Sequence, residues 1–70
     1  MSGLKPIRAI ERGIMVMRAL EEIGAASLHQ LHGHTKLHRT TLLRILLTLE
    51  QQNLVRRGLG DGLYRNTFAL

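Results

Sequence analysis

Leu42, Ile45, Leu46 and Leu49 recur at spacings of three and four, and no proline or glycine interrupts the chain around them. At about 100° per residue these four side chains fall within one narrow arc. The segment from about Arg39 to Gln52 is therefore an amphipathic helix anchored by that stripe. Its opposite face carries Thr40, Leu43, Arg44, Leu47 and Gln51, a mixture of donors, one cation and two leucines.

What precedes this helix reads as two more. Pro6 suits a first helical turn, and the run from Ile7 ends at Gly24-Ala25-Ala26, which sets a first helix. Ile10, Ile14 and Met17 make one stripe on it; Ala9, Gly13, Val16, Leu20 and Ile23 make a second beside it, so the apolar arc covers about half the circumference. Either both stripes enter one core or one of them packs on a partner chain. Arg8, Arg12, Arg18 and Glu22 fall on the other side, expected in solvent. Ser27 is the expected N-cap of a short second helix from Leu28 to about His34, with Leu28 and Leu31 inward. Thr35-Lys36-Leu37 follows as a tight turn.

After Asn53, which suits a helix end, Leu54–Arg57 and Leu63–Thr67 read as short strands. Between them Gly58-Leu59-Gly60-Asp61-Gly62 has the composition of a hairpin loop. Residues 1–70 thus make one mainly α domain of three helices with a small β-hairpin. Seventy residues bury only roughly 60% of their unfolded surface, and with no cysteine there is neither a disulfide nor a thiolate metal site to help. Packing must hold this fold, either within the chain or shared with a second one.

A short helix, a tight turn and a second helix, followed by a basic hairpin, is the helix-turn-helix arrangement with a wing. Charge agrees with that reading. The net charge is +5, and Lys36, Arg39, Arg44, Arg56, Arg57 and Arg65 outweigh Glu50 and Asp61 in the second half. A polyanion is the expected partner. One Tyr and one Phe give no stacking platform for unpaired bases, so duplex DNA is favoured over single strands. His38, Arg39, Thr40, Thr41, Leu43 and Arg44 are the expected groove contacts, and Arg56, Arg57 and Arg65 the backbone contacts. Arg39 and Arg44 can donate to guanine or phosphate, and Leu43 can meet a thymine methyl.

Three segments resemble the N-terminal DNA-binding domain of the IclR family of bacterial regulators: Ala9-Ile10-Glu11-Arg12-Gly13-Ile14-Met15-Val16-Met17, Leu37-His38-Arg39-Thr40-Thr41-Leu42-Leu43-Arg44-Ile45-Leu46, and Leu54-Val55-Arg56-Arg57 running into Gly62-Leu63-Tyr64-Arg65. The likeness spans about residues 7–65. It implies a winged helix-turn-helix homodimer on a roughly palindromic operator, with Ala9, Ile10, Gly13, Val16, Met17 and Leu20 of helix one as the expected interface. Any small-molecule effector would act through a C-terminal domain absent from these residues, in a cytoplasmic regulator. The sequence departs from the family pattern at Lys36, where the turn usually has Gly, at His32, where a small residue is usual, and at His38, where Pro or Ser is common.

Other chemistry finds little support. His29, His32, His34 and His38 crowd together, yet no cysteine accompanies them and the acids lie elsewhere in sequence, so no metal or other cofactor is expected. Ser2 and Ser27 are the only serines and no nucleophilic triad can be assembled, so no enzyme is read. The Gly58–Gly62 segment lacks the Gly-Lys-Ser/Thr ending of a phosphate loop. The uncharged apolar stretch near the N-terminus is too short for a membrane span, and helix one balances acids against bases, which disfavours a membrane surface. A winged helix that binds protein through Leu43 and Leu47 is the remaining alternative.

Overall fold

The computed structural model describes residues 3–67, which leaves Ser2 outside it. The elements run α1 (Arg8–Ile23), β1 (Ala25–Ala26), α2 (Leu28–Thr35), α3 (Arg39–Gln51), β2 (Val55–Arg57) and β3 (Tyr64–Asn66). Pro6 lies before α1 rather than in its first turn, since Ile7 is the N-cap. At the other end Gly24 takes φ 91° and donates its N–H to the Leu20 carbonyl at 2.7 Å. A side chain rarely adopts that φ, so glycine ends the helix there. α2 opens on a capping box: Ser27 Oγ accepts from Gln30 N–H at 3.1 Å, and Gln30 Oε1 accepts from Ser27 N–H at 2.9 Å.

The core joins all three helices to the sheet. Val16 and Leu20 of α1, Leu31 of α2, Leu42 and Leu46 of α3 and Val55 of β2 are its largest fully buried side chains. Leu49, Ala19, Ala26 and Tyr64 complete it, with Ile45 and Met17 packed at its edge. Burial of each large apolar side chain contributes on the order of 1.5–3 kcal/mol, which is how so short a chain offsets its ordering entropy.

This packing corrects one expectation. Val16 and Leu20, expected at a dimer interface, are 0% and 1% exposed in the chain's own core and leave no surface for a partner. Ile10 and Ile14, on the neighbouring stripe, are 57% and 45% exposed. Arg12 is half-buried rather than fully solvated, while Arg8, Arg18 and Glu22 are exposed.

The hairpin is part of a larger sheet. Ala25 and Ala26 form a third strand, so the order is β1-β3-β2 with both pairings antiparallel. Ala25 sits opposite Arg65 and Ala26 opposite Tyr64; across the other edge Val55 meets Asn66, Arg56 meets Arg65 and Arg57 meets Tyr64. Asn66 also donates from Nδ2 to the Met17 carbonyl at 3.0 Å, tying the central strand to α1. The wing is thereby fastened at its base.

Between α2 and α3, Lys36 occupies the left-handed region at φ 61°. A lysine there bears a steric cost that glycine does not. Side chains support the turn instead. Thr35 Oγ1 donates to Leu31 O at 2.7 Å and accepts from Leu37 N–H at 3.3 Å, while His32 Nδ1 donates to Leu37 O at 2.8 Å. Lys36→Gly is expected to raise stability by about 0.5–1 kcal/mol, several degrees in Tm for a chain this short. A thermal melt checks this; an unchanged Tm would mean that the strain of the left-handed lysine does not exceed the entropy glycine adds to the unfolded chain.

Candidate nucleic-acid interface

Helix α3 is held from one side only. With Leu42, Leu46 and Leu49 in the core, Thr40, Arg44, Leu47 and Gln51 project from the opposite face, all exposed. Leu43 and Leu47 are 42% and 56% exposed, too much for core residues. His38 and Arg39 are exposed at the start of the helix and Thr41 is half-buried. His38 is the N-cap but its side chain makes no capping hydrogen bond, and among the described residues no other side chain bonds the first-turn amides. Together with the helix dipole they present partial positive charge where the turn delivers the chain.

His32 and Thr35 are the positioning residues that sequence reasoning passed over. Both bond into residues 31–37, and both hold Leu37, in the turn that leads from α2 to α3. A histidine donating to a carbonyl five residues on has no periodic signature.

In the wing, alternation along β2 and β3 separates the three arginines. Arg57 lies on the face of Val55 and Tyr64, with its guanidinium 5.7 Å from the Tyr64 ring centroid and Nε donating to Gly62 O at 3.2 Å. It is half structural, closing the loop and capping an aromatic face. Arg56 and Arg65 oppose each other on the outer face. Arg56 is exposed and has no ion-pair or side-chain hydrogen-bond partner among the described residues. Arg65 is engaged by Asp61, through Nη2 to Oδ2 at 2.6 Å and Nη1 to Oδ1 at 3.3 Å. That guanidinium, with the Leu63 N–H second, holds the Asp61 carboxyl down at about 2.

The histidines disperse. His34 Nε2 lies 2.9 Å from Glu22 Oε2, a link from α2 to α1 that distance in sequence concealed. Among the described residues no three ligating side chains converge.

The model of the IclR helix-turn-helix domain matches residues 9–58, well over half of the chain. The chain belongs to the IclR helix-turn-helix family. That family is one of DNA-binding transcription regulators, and the chain is a non-enzymatic domain of this kind. An IclR transcriptional regulator from Alicyclobacillus acidocaldarius is similar in fold, with a TM-score of 0.81 at 20% identity over 89% of the chain. The IclR domain described here spans 26% of that protein's length. The matched segment begins in α1 and ends at Gly58, so it holds the helix-turn-helix entire and stops inside the wing.

Proposed function

We propose that the chain is the sequence-reading head of a bacterial transcriptional regulator, placing α3 in the major groove of duplex DNA and the wing on the phosphate backbone. The observation that carries this is the one-sided anchoring of α3: Leu42, Leu46 and Leu49 of its inner stripe are buried in the core while Thr40, Arg44 and Leu47 stand free on the outer face. A groove about 12 Å wide admits such a helix. Arg44 suits guanine, Thr40 and Thr41 suit phosphate or a base edge, Leu43 and Leu47 suit thymine methyls, and the uncapped amides with His38 and Arg39 suit a phosphate. Arg56, Arg57 and Arg65 supply the wing's positive charge. The cytoplasm is the compartment this reading requires.

The two exposed leucines also suit an apolar protein partner, and salt separates the readings. Phosphate contacts release condensed counterions, so duplex affinity is expected to fall steeply with salt, with a slope of about −0.9 per contact. Affinity for a duplex measured across a salt series checks this. A flat response would remove the DNA reading in favour of the protein one.

The reading includes a homodimer on a roughly palindromic site. Ile10 and Ile14, with the N-cap Ile7, form an exposed apolar stripe along the first half of α1, with Ala9 exposed and Gly13 and Met17 half-buried beside it. Such a stripe on a small monomer is the kind of surface a second copy covers.

A further inference from the structure

Before any DNA arrives, the wing already holds an anion of its own. Arg56 and Arg65 are direct cross-strand partners on the outer face. Like charges so placed repel, with Cβ atoms about 5 Å apart. Asp61 answers one of them with both of its oxygens. Its carboxylate is also fixed in place, because Oδ1 accepts the Leu63 N–H at 2.9 Å. Gly58 makes room for it: a Cβ there would overlap Asp61 Oδ1 and lie 2.9 Å from Arg65 Nη1. A two-oxygen anion set against the plane of a guanidinium is also how arginine takes a phosphate.

We propose that Asp61 is a positioning residue that stands in for a DNA phosphate: it holds Arg65 in the free chain, and Arg65 reaches the duplex backbone only by exchanging this carboxylate for phosphate. Asp61 thereby lowers affinity for every duplex alike, leaving Arg56 and Arg57 as the wing cations that no carboxylate pairs among the described residues. The proposal rests on the wing facing DNA, as described above. It adds to that reading an internal competitor for one of its contacts.

The test is a double-mutant cycle on a short duplex of arbitrary sequence. D61N keeps an oxygen for the Leu63 N–H and removes the charge. It is expected to bind about eightfold tighter at about 0.1 M salt, with a salt slope steeper by about 0.9, the share of one phosphate. In an R65Q background the same change is expected to give neither effect, because Asp61 acts through that guanidinium. An undiminished gain in R65Q would show Asp61 to be only a general negative charge, and no gain with Arg65 intact would show that it does not compete; either overturns the proposal. G58A, which crowds the carboxylate off the guanidinium at unchanged net charge, is expected to tighten binding in the same Arg65-dependent way. Should it bind as the native chain does, pairing is not the cause. A native chain with no salt slope at all would instead strike the DNA reading itself.

Discussion

Val16→Glu is expected to unfold the chain, whereas Ile10→Glu is expected to leave it folded and monomeric. The two residues lie on adjacent stripes of one helix, but Val16 is 0% exposed among the core side chains and Ile10 is 57% exposed. A glutamate at position 16 meets no cation in that core, and burying an uncompensated charge costs at least several kcal/mol. A cysteine-free domain of this size rarely has more than about 3–5 kcal/mol in hand. At position 10 the same carboxylate stays in water and spoils only a surface against which a second copy would pack. Circular dichroism with sedimentation checks both: lost helix signal for the first variant, native signal at monomer mass for the second. A folded Val16→Glu chain that had merely lost its dimer would restore Val16 to the interface.

The same contrast shows how far periodicity reaches. Spacing places a residue at an angle around a helix, and for α3 that sufficed, because one stripe is apolar and the opposite face carries Thr40, Arg44 and Gln51. On α1 both stripes are apolar, and the angle does not say which meets the core. The answer depends also on position along the axis. The fully buried residues of α1 are Val16, Ala19 and Leu20, all in its second half, while Ala9 and Ile10 are exposed despite lying in those same stripes.

Strand β1 was illegible for a different reason. Two alanines have no alternation to show, and their pairing with Tyr64 and Arg65 is closed by residues nearly forty positions away. In the site, the exposed residues of α3 followed from its anchoring stripe, but the work of His32 and Thr35 did not. Nor did that of Asp61, which in sequence is one more polar loop residue. Each acts through directional hydrogen bonds that only the folded backbone aims.

Arg44→Ala and Arg56→Ala are expected to weaken DNA binding in distinguishable ways. Arg44 is exposed mid-face on α3, one turn after Thr40, where a guanidinium meets base edges and can bond guanine O6 and N7 together. Its loss is expected to cost about 1–3 kcal/mol on a duplex the chain has selected from a randomised pool, and to relax preference at one or two base pairs. Arg56 is the wing cation without a side-chain partner among the described residues, and phosphates carry no sequence. Arg56→Ala is expected to weaken selected and scrambled duplexes by the same factor and to flatten the salt slope by about 0.9. Arg57→Ala is the less clean probe of grip, because it also removes the contact with Tyr64 and the bond to Gly62 O. Affinities of both variants on both duplexes across a salt series decide the assignment. If Arg44→Ala weakened the two duplexes equally while Arg56→Ala altered base preference, α3 would be the grip and the wing the reader.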